Sequence, residues 1–163
     1  SGLNDGAAGV LLMSADKARE LGVAPMMRMV GYAYEGVRPE IMGVGPIPST
    51  KKVLARTGLA IDDIGLIELN EAFAVQCILF MKEFGLNFPV DDRLNPWGGV
   101  TAFGHPLAGS GPRLMLHMMH LFAERPDVRY GLTALCVGLG QGGSVVWENL
   151  RVDSAAGVCA DNK

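Results

Sequence analysis

Cysteine is scarce. The 163 residues hold three, Cys77, Cys136 and Cys159. The number is odd, the spacing is wide and no CxxC occurs. That speaks against a disulfide framework or a zinc knuckle and makes a reducing compartment the expected setting. Excess charge of either sign is also missing. Fourteen Lys and Arg face seventeen Asp and Glu, for a formal net charge of −3. With no basic run, neither nucleic acid nor an anionic membrane surface is expected as a partner. No apolar stretch reaches the roughly 20 residues that cross a bilayer. The opening Ser1-Gly2-Leu3-Asn4-Asp5-Gly6 lacks the basic and apolar blocks of a secretory signal. A cytoplasmic location is expected, with an organelle matrix as the other compartment that fits.

What is present suits a globular domain. Apolar residues make up 49% and charged residues 19%, and the length is enough for one real core. Glycine is the unusual count, at 22. Nine of the glycines fall in two tight clusters, 98–111 and 138–143, where the backbone must turn sharply or approach something closely.

Along the chain, 7–13 reads as a short buried strand. Ser14 caps a two-turn helix that Gly22 stops. Residues 27–34 read as a strand and 36–48, with three prolines and three glycines, as a loop. Ser49 is placed as the cap of a helix running to Gly58. The run 64–69 is a compact buried strand. Residues 72–81 and 114–122 read as helices apolar on nearly every face, which need protein on all sides. Residues 132–137 and 144–150 form two strands joined by the glycine turn 138–143. The pattern is α/β: a mixed sheet packed with buried helices and closed by a β-hairpin. The tail 151–163 is small, polar and expected to be flexible.

Three motifs can carry chemistry. Asn70-Glu71-Ala72-Phe73-Ala74 lies at a strand-to-helix junction. The Asn70 amide can serve an oxyanion or a water there, or simply cap the helix. His105 stands between Gly104 and Pro106 in the cluster 98–111. A rigidly held histidine suits a general base; the plainer alternative is a loop histidine bonded to a carbonyl. Cys136 ends a strand beside Gly138 and Gly140. Its thiol can exchange a proton and the glycine N–H groups can meet an oxyanion, or the thiol is only packing.

Together, in this order, the motifs resemble those of the thiolase family. The opening 1–8 and the segment 37–43 are also similar to family sequence, so the likeness runs from residue 1 to about 149. The resemblance implies the C-terminal half of the thiolase fold. Residues 1–22 correspond to the end of the N-terminal half, with its last strand and the following helix, 23–150 to the C-terminal domain and 151–163 to a tail. It implies His105 as the base for a nucleophilic cysteine, Cys136 as a second acid/base, Asn70 as holder of an oxyanion-hole water and Gly138 as an N–H donor to a second oxyanion. Ser1, Ala72 and Phe73 would line the pantetheine tunnel. The substrates implied are acyl-CoA and coenzyme A, with no cofactor and no metal.

The family's nucleophilic cysteine sits in its N-terminal half, and neither Cys77 nor Cys159 matches that setting. The chain is therefore expected to be part of a longer, homo-oligomeric protein and inactive alone. Without that half the strand at 7–13 is expected to fray or pair with a free sheet edge, and the two apolar helices to expose a sticky face.

Rival readings are weaker. The glycines of 138–143 fit GxGxxG, but a dinucleotide loop must open a helix and a strand follows here. His105, His117, His120 and Cys136 lack the carboxylates that would complete a metal site. The serious alternative is a non-catalytic interaction module of the thiolase fold.

Overall fold

The computed structural model describes residues 1–151. The tail expected to be flexible lies beyond the described residues, Arg151 excepted. Four strands form one mixed sheet in the order β1-β4-β3-β2. They are β1 (Met27–Gly36), β2 (Ile64–Leu69), β3 (Tyr130–Val137) and β4 (Gln141–Asn149). β4 pairs antiparallel with both β1 and β3, and β2 runs parallel to β3. The expected closing hairpin is β3–β4.

Five helices accompany the sheet: α1 (Ala15–Leu21), α2 (Pro46–Thr57), α3 (Ala74–Glu83), the single turn α4 (Val100–Phe103) and α5 (Ser110–Glu124). The two-residue period of β2 divides the core between its faces. Ile67 and Leu69 join Val53 and Leu54 of α2 and Phe80 and Met81 of α3. Leu66 points the other way, to Met118, Leu121 and Phe122 of α5. β2 thus reads as an unbroken apolar run because helices cover both its faces. Each such fully buried Leu, Ile or Phe contributes about 1.5–3 kcal/mol. The same period turns Glu68 toward α5, where it meets His117.

Several expectations need correction. Residues 7–13 form no strand, and Leu11 and Leu12 stand exposed. An isolated apolar run becomes a strand only where an edge accepts it. The outer side of β2 is already taken at Ile67, which bonds to the main chain of Arg93 and Asn95. The preceding residues lie along the His105 loop instead, with a parallel bridge between Leu3 and His105. The helix placed after Ser49 begins at Pro46, because proline needs no hydrogen-bond acceptor in a first turn. The Ser49 hydroxyl is buried against Ser144 of β4, at 2.7 Å. The helix read at 72–81 starts at Ala74. It is covered on one side only: Gln76, Phe80 and Met81 are buried while Val75, Ile78 and Leu79 are exposed. This is the open apolar face expected. α5 also buries one stripe, not its whole surface. Among the described residues no helix is long and apolar enough to cross a membrane.

Candidate active site

Parallel pairing brings two motifs to one edge of the sheet. Asn70 follows β2 and Cys136 lies near the end of β3, both at the carboxyl ends where open α/β sheets bind ligands. The Asn70 N–H donates to the Ala134 carbonyl at 2.9 Å. Its side chain is another matter. Asn70 is 1% exposed, yet neither Nδ2 nor Oδ1 has a partner among the described residues. It is not the cap of α3 either, since Phe73 holds that position. A buried amide group left unpaired costs about 1–3 kcal/mol, and nothing among the described residues offsets that cost.

Gln76 joins Asn70 to Cys136. Its Nε2 donates to the Asn70 carbonyl at 3.1 Å, and its Oε1 accepts from the Cys136 thiol at 3.8 Å. Burial pushes the Cys136 thiol up, so it keeps its proton at neutral pH and can act as an acid. Beyond it Gly138 is exposed, and a side chain there would meet nothing within 4 Å. Its backbone is open to close approach.

His105 is half-buried, with Nδ1 2.6 Å from the buried Ser110 hydroxyl. Nε2 is therefore the ring nitrogen left for a reacting proton. Burial first, then Arg113, lower its pKa. Those causes favour the neutral imidazole that a base requires.

The loop bearing His105 is held main-chain group by main-chain group. Asn4 Nδ2 donates to the Phe103 carbonyl at 3.2 Å, Arg113 Nη1 to the Gly104 carbonyl at 3.0 Å, and the His105 N–H to the Gly2 carbonyl at 2.8 Å. Gly104 has φ +89, and a Cβ there would lie 2.6 Å from the Asn4 side chain. Only glycine meets both demands. The Ser1 nitrogen donates to the Ala72 carbonyl at 2.9 Å. Residues 1–6 thus strap the Asn70 loop to the His105 loop. Ala72 is buried and Phe73 is 52% exposed.

Glu71 makes a second tie. Its carboxylate accepts from Asn95 Nδ2 at 2.9 Å and from the Thr101 N–H at 3.1 Å. It sits where a Cβ on Gly99 would be, about 2.1 Å away. That carboxylate explains Gly99, while Gly98 is called for by its φ of +81. Gln76, Glu71 and Ser110 were all missed by sequence reasoning. Gln76 left a signal, as a polar residue in an apolar helix, and Glu71 stood unassigned inside the motif at 70–74. His117, weighed above for metal, pairs instead with the buried Glu68 at 3.1 Å.

A sequence profile of the thiolase C-terminal domain matches residues 23–149. The chain belongs to the thiolase family. The 3-ketoacyl-CoA thiolase of Pseudoalteromonas translucida (strain TAC 125) is 48% identical over 151 residues, which is 93% of this chain and 39% of that protein. That of Marinomonas sp. (strain MWYL1) is 47% identical over 150 residues, 92% of this chain and 38% of that one. In solved structures, the Bacillus anthracis acetyl-CoA acetyltransferase superposes with a TM-score of 0.78 at 38% identity, over 85% of this chain and 34% of its own. The human mitochondrial 3-ketoacyl-CoA thiolase gives 0.78 at 36% identity, over 84% and 34%. This thiolase domain therefore spans about two fifths of the curated relatives it matches. It is the C-terminal part of the fold, as the resemblance of its motifs led one to expect.

Proposed function

We propose that this domain supplies the acid–base side of a thiolase site that cleaves a 3-ketoacyl-CoA with coenzyme A, or condenses acyl-CoA units in reverse. The nucleophilic cysteine comes from an N-terminal half. His105 takes that cysteine's proton through Nε2. The thiolate attacks the ketone carbon, and the bond between C2 and C3 breaks with its electron pair going to C2. Cys136 delivers its proton to C2, releasing acetyl-CoA and leaving an acyl-enzyme. The Cys136 thiolate then accepts the proton of incoming coenzyme A, whose sulfur attacks the acyl-enzyme and expels the nucleophilic cysteine's thiolate, which takes its proton back from His105. Asn70, through a water and with His105, stabilises one oxyanion, and the Gly138 N–H donates to the other. Ser1, Ala72 and Phe73 line the pantetheine path. Coenzyme A enters as substrate and no cofactor takes part. The parent enzyme is placed as a homo-oligomer of the cytoplasm or an organelle matrix.

The observation that carries this reading is the buried, unpartnered amide of Asn70, tied through Gln76 to the Cys136 thiol. The test is thiolysis of acetoacetyl-CoA by this chain with a polypeptide supplying the N-terminal half. Activity is expected in the mixture only, and His105→Ala or Cys136→Ala should abolish it. Full activity in either variant sinks the assignment.

A second reading, a non-catalytic assembly module, is favoured by the open apolar face of Phe73, Val75, Ile78 and Leu79. It predicts that both substitutions leave association with the N-terminal half as the chain's sole measurable property.

A further inference from the structure

We propose that Arg113 is a positioning residue for His105: it holds the base's loop through the Gly104 carbonyl and fixes a positive charge beside the imidazole. The proposal rests on the acid–base reading of His105 given above.

Arg113 lies in the first turn of α5, after the Ser110 that engages His105 Nδ1. Its Nη1 donates to the carbonyl of the residue just before His105, at 3.0 Å. Its guanidinium lies over the Phe103 ring, 4.5 Å from the centroid. Its Nε and Nη2 are buried and have no hydrogen-bond partner among the described residues. The nearby Glu68 carboxylate acts on it only through space. One Glu68 oxygen is taken by His117, and the other, Oε1, has no partner among the described residues. The guanidinium is thus held by a carbonyl and a ring, with no direct ion pair to cancel its field. A charge in such a half-buried place is weakly screened, and a neighbouring cation favours the neutral form of an imidazole. Arginine suits the post better than lysine because its planar group stacks on Phe103 while donating in plane.

The groups facing His105 can be named by element. α5 contributes Ser110 and Arg113. The opening segment contributes Asp5, which lines the same hollow as the imidazole. Arg113 is the cation on α5 that lowers the His105 pKa.

The experiment is an NMR titration of the histidine rings in the full 163-residue chain, for wild type, Arg113→Gln and Arg113→Lys, with the exposed His120 as internal control. Arg113→Gln should raise the His105 midpoint by about half a unit, roughly a three-fold gain in proton affinity. Arg113→Lys restores the charge and should bring most of that change back. A merely structural arginine would not be rescued in this way. If Arg113→Gln does not fold, Arg113→Met keeps the packing on Phe103 and carries the same expectation. A midpoint unmoved by loss of the charge overturns the proposal, as does a lysine variant that shifts as far as glutamine. The readout needs no turnover. Rescue by lysine, combined with no thiolysis from the joined halves, would therefore sink the catalytic reading and leave the positioning role standing.

Discussion

Asn70 and Asn149 are hidden to the same degree, 1% and 2% exposed, at opposite ends of the same sheet. They live differently. Asn149 Nδ2 donates to the carbonyls of Phe122 and Val128, at 3.3 and 2.9 Å, and its Oδ1 accepts from the Arg151 N–H at 3.0 Å. Its neighbour Glu148 holds Arg28 and Arg129. The Asn70 side chain bonds to nothing among the described residues. Burial is common to both, so burial does not separate structure from function here. Satisfaction does. One end spends its polar groups on the fold, and the other keeps them available.

The largest expected effects break that contrast at its functional end. In the joined halves, His105→Ala and Cys136→Ala should each lower kcat by about 10²–10⁴-fold, the usual worth of a positioned acid or base. Steady-state thiolysis checks this, and a loss below ten-fold in both would place the chemistry elsewhere. The asparagines come next. Asn70→Ala should cost about 10²–10³-fold in kcat with little change in unfolding free energy, because no protein bond is lost. Asn149→Ala should do the reverse. It strands two buried carbonyls and an N–H, at about 2–4 kcal/mol, and leaves the site intact. Urea unfolding of the two variants side by side decides. Equal destabilisation would mean that the Asn70 amide is structural after all.

How far the sequence revealed this contrast depends on range. Asn70, His105 and Cys136 were visible because short motifs kept them in fixed local settings. The β3–β4 hairpin was visible because glycines punctuate two apolar strands. The run 7–13 misled, since its pattern suits a strand but nothing local says whether an edge is free to pair it. Pro46 was taken for loop because proline and glycine in number hide the one proline that starts a helix. The partners that fix the site lie far away in sequence: Gln76 is 60 residues from Cys136, and Glu71 is 30 from Thr101. The hold of Arg113 on the Gly104 carbonyl left no local signal.

The smallest effects concern two buried carboxylates that extend the comparison to pH. Both oxygens of Asp91 are bonded, to Arg93 and to the Asn87 N–H. The Arg93 hydrogen bond holds its carboxyl down at about 2, against an ordinary 3.8. Glu68 keeps one oxygen unpartnered, and burial pushes its carboxyl above the ordinary 4.5, outweighing the opposing pull of His117. The two therefore bend stability in opposite directions. A lowered folded-state pKa contributes stability that is full above the ordinary value and is lost as pH falls toward the folded one. Asp91 acts between about pH 4 and 2 in this way. A raised pKa contributes stability present below the ordinary value and lost as pH rises through the folded one. Glu68 acts in this way from about pH 4.5 upward. Urea midpoints measured from pH 2 to 7 should show Asp91→Asn flattening the acid limb alone. Glu68→Gln should remove a decline that begins above about 4.5 and leave the acid limb unchanged. If Glu68→Gln instead flattens the acid limb, its carboxylate is stabilised in the fold like that of Asp91. The site end would then keep no unsatisfied anion for Arg113 to face.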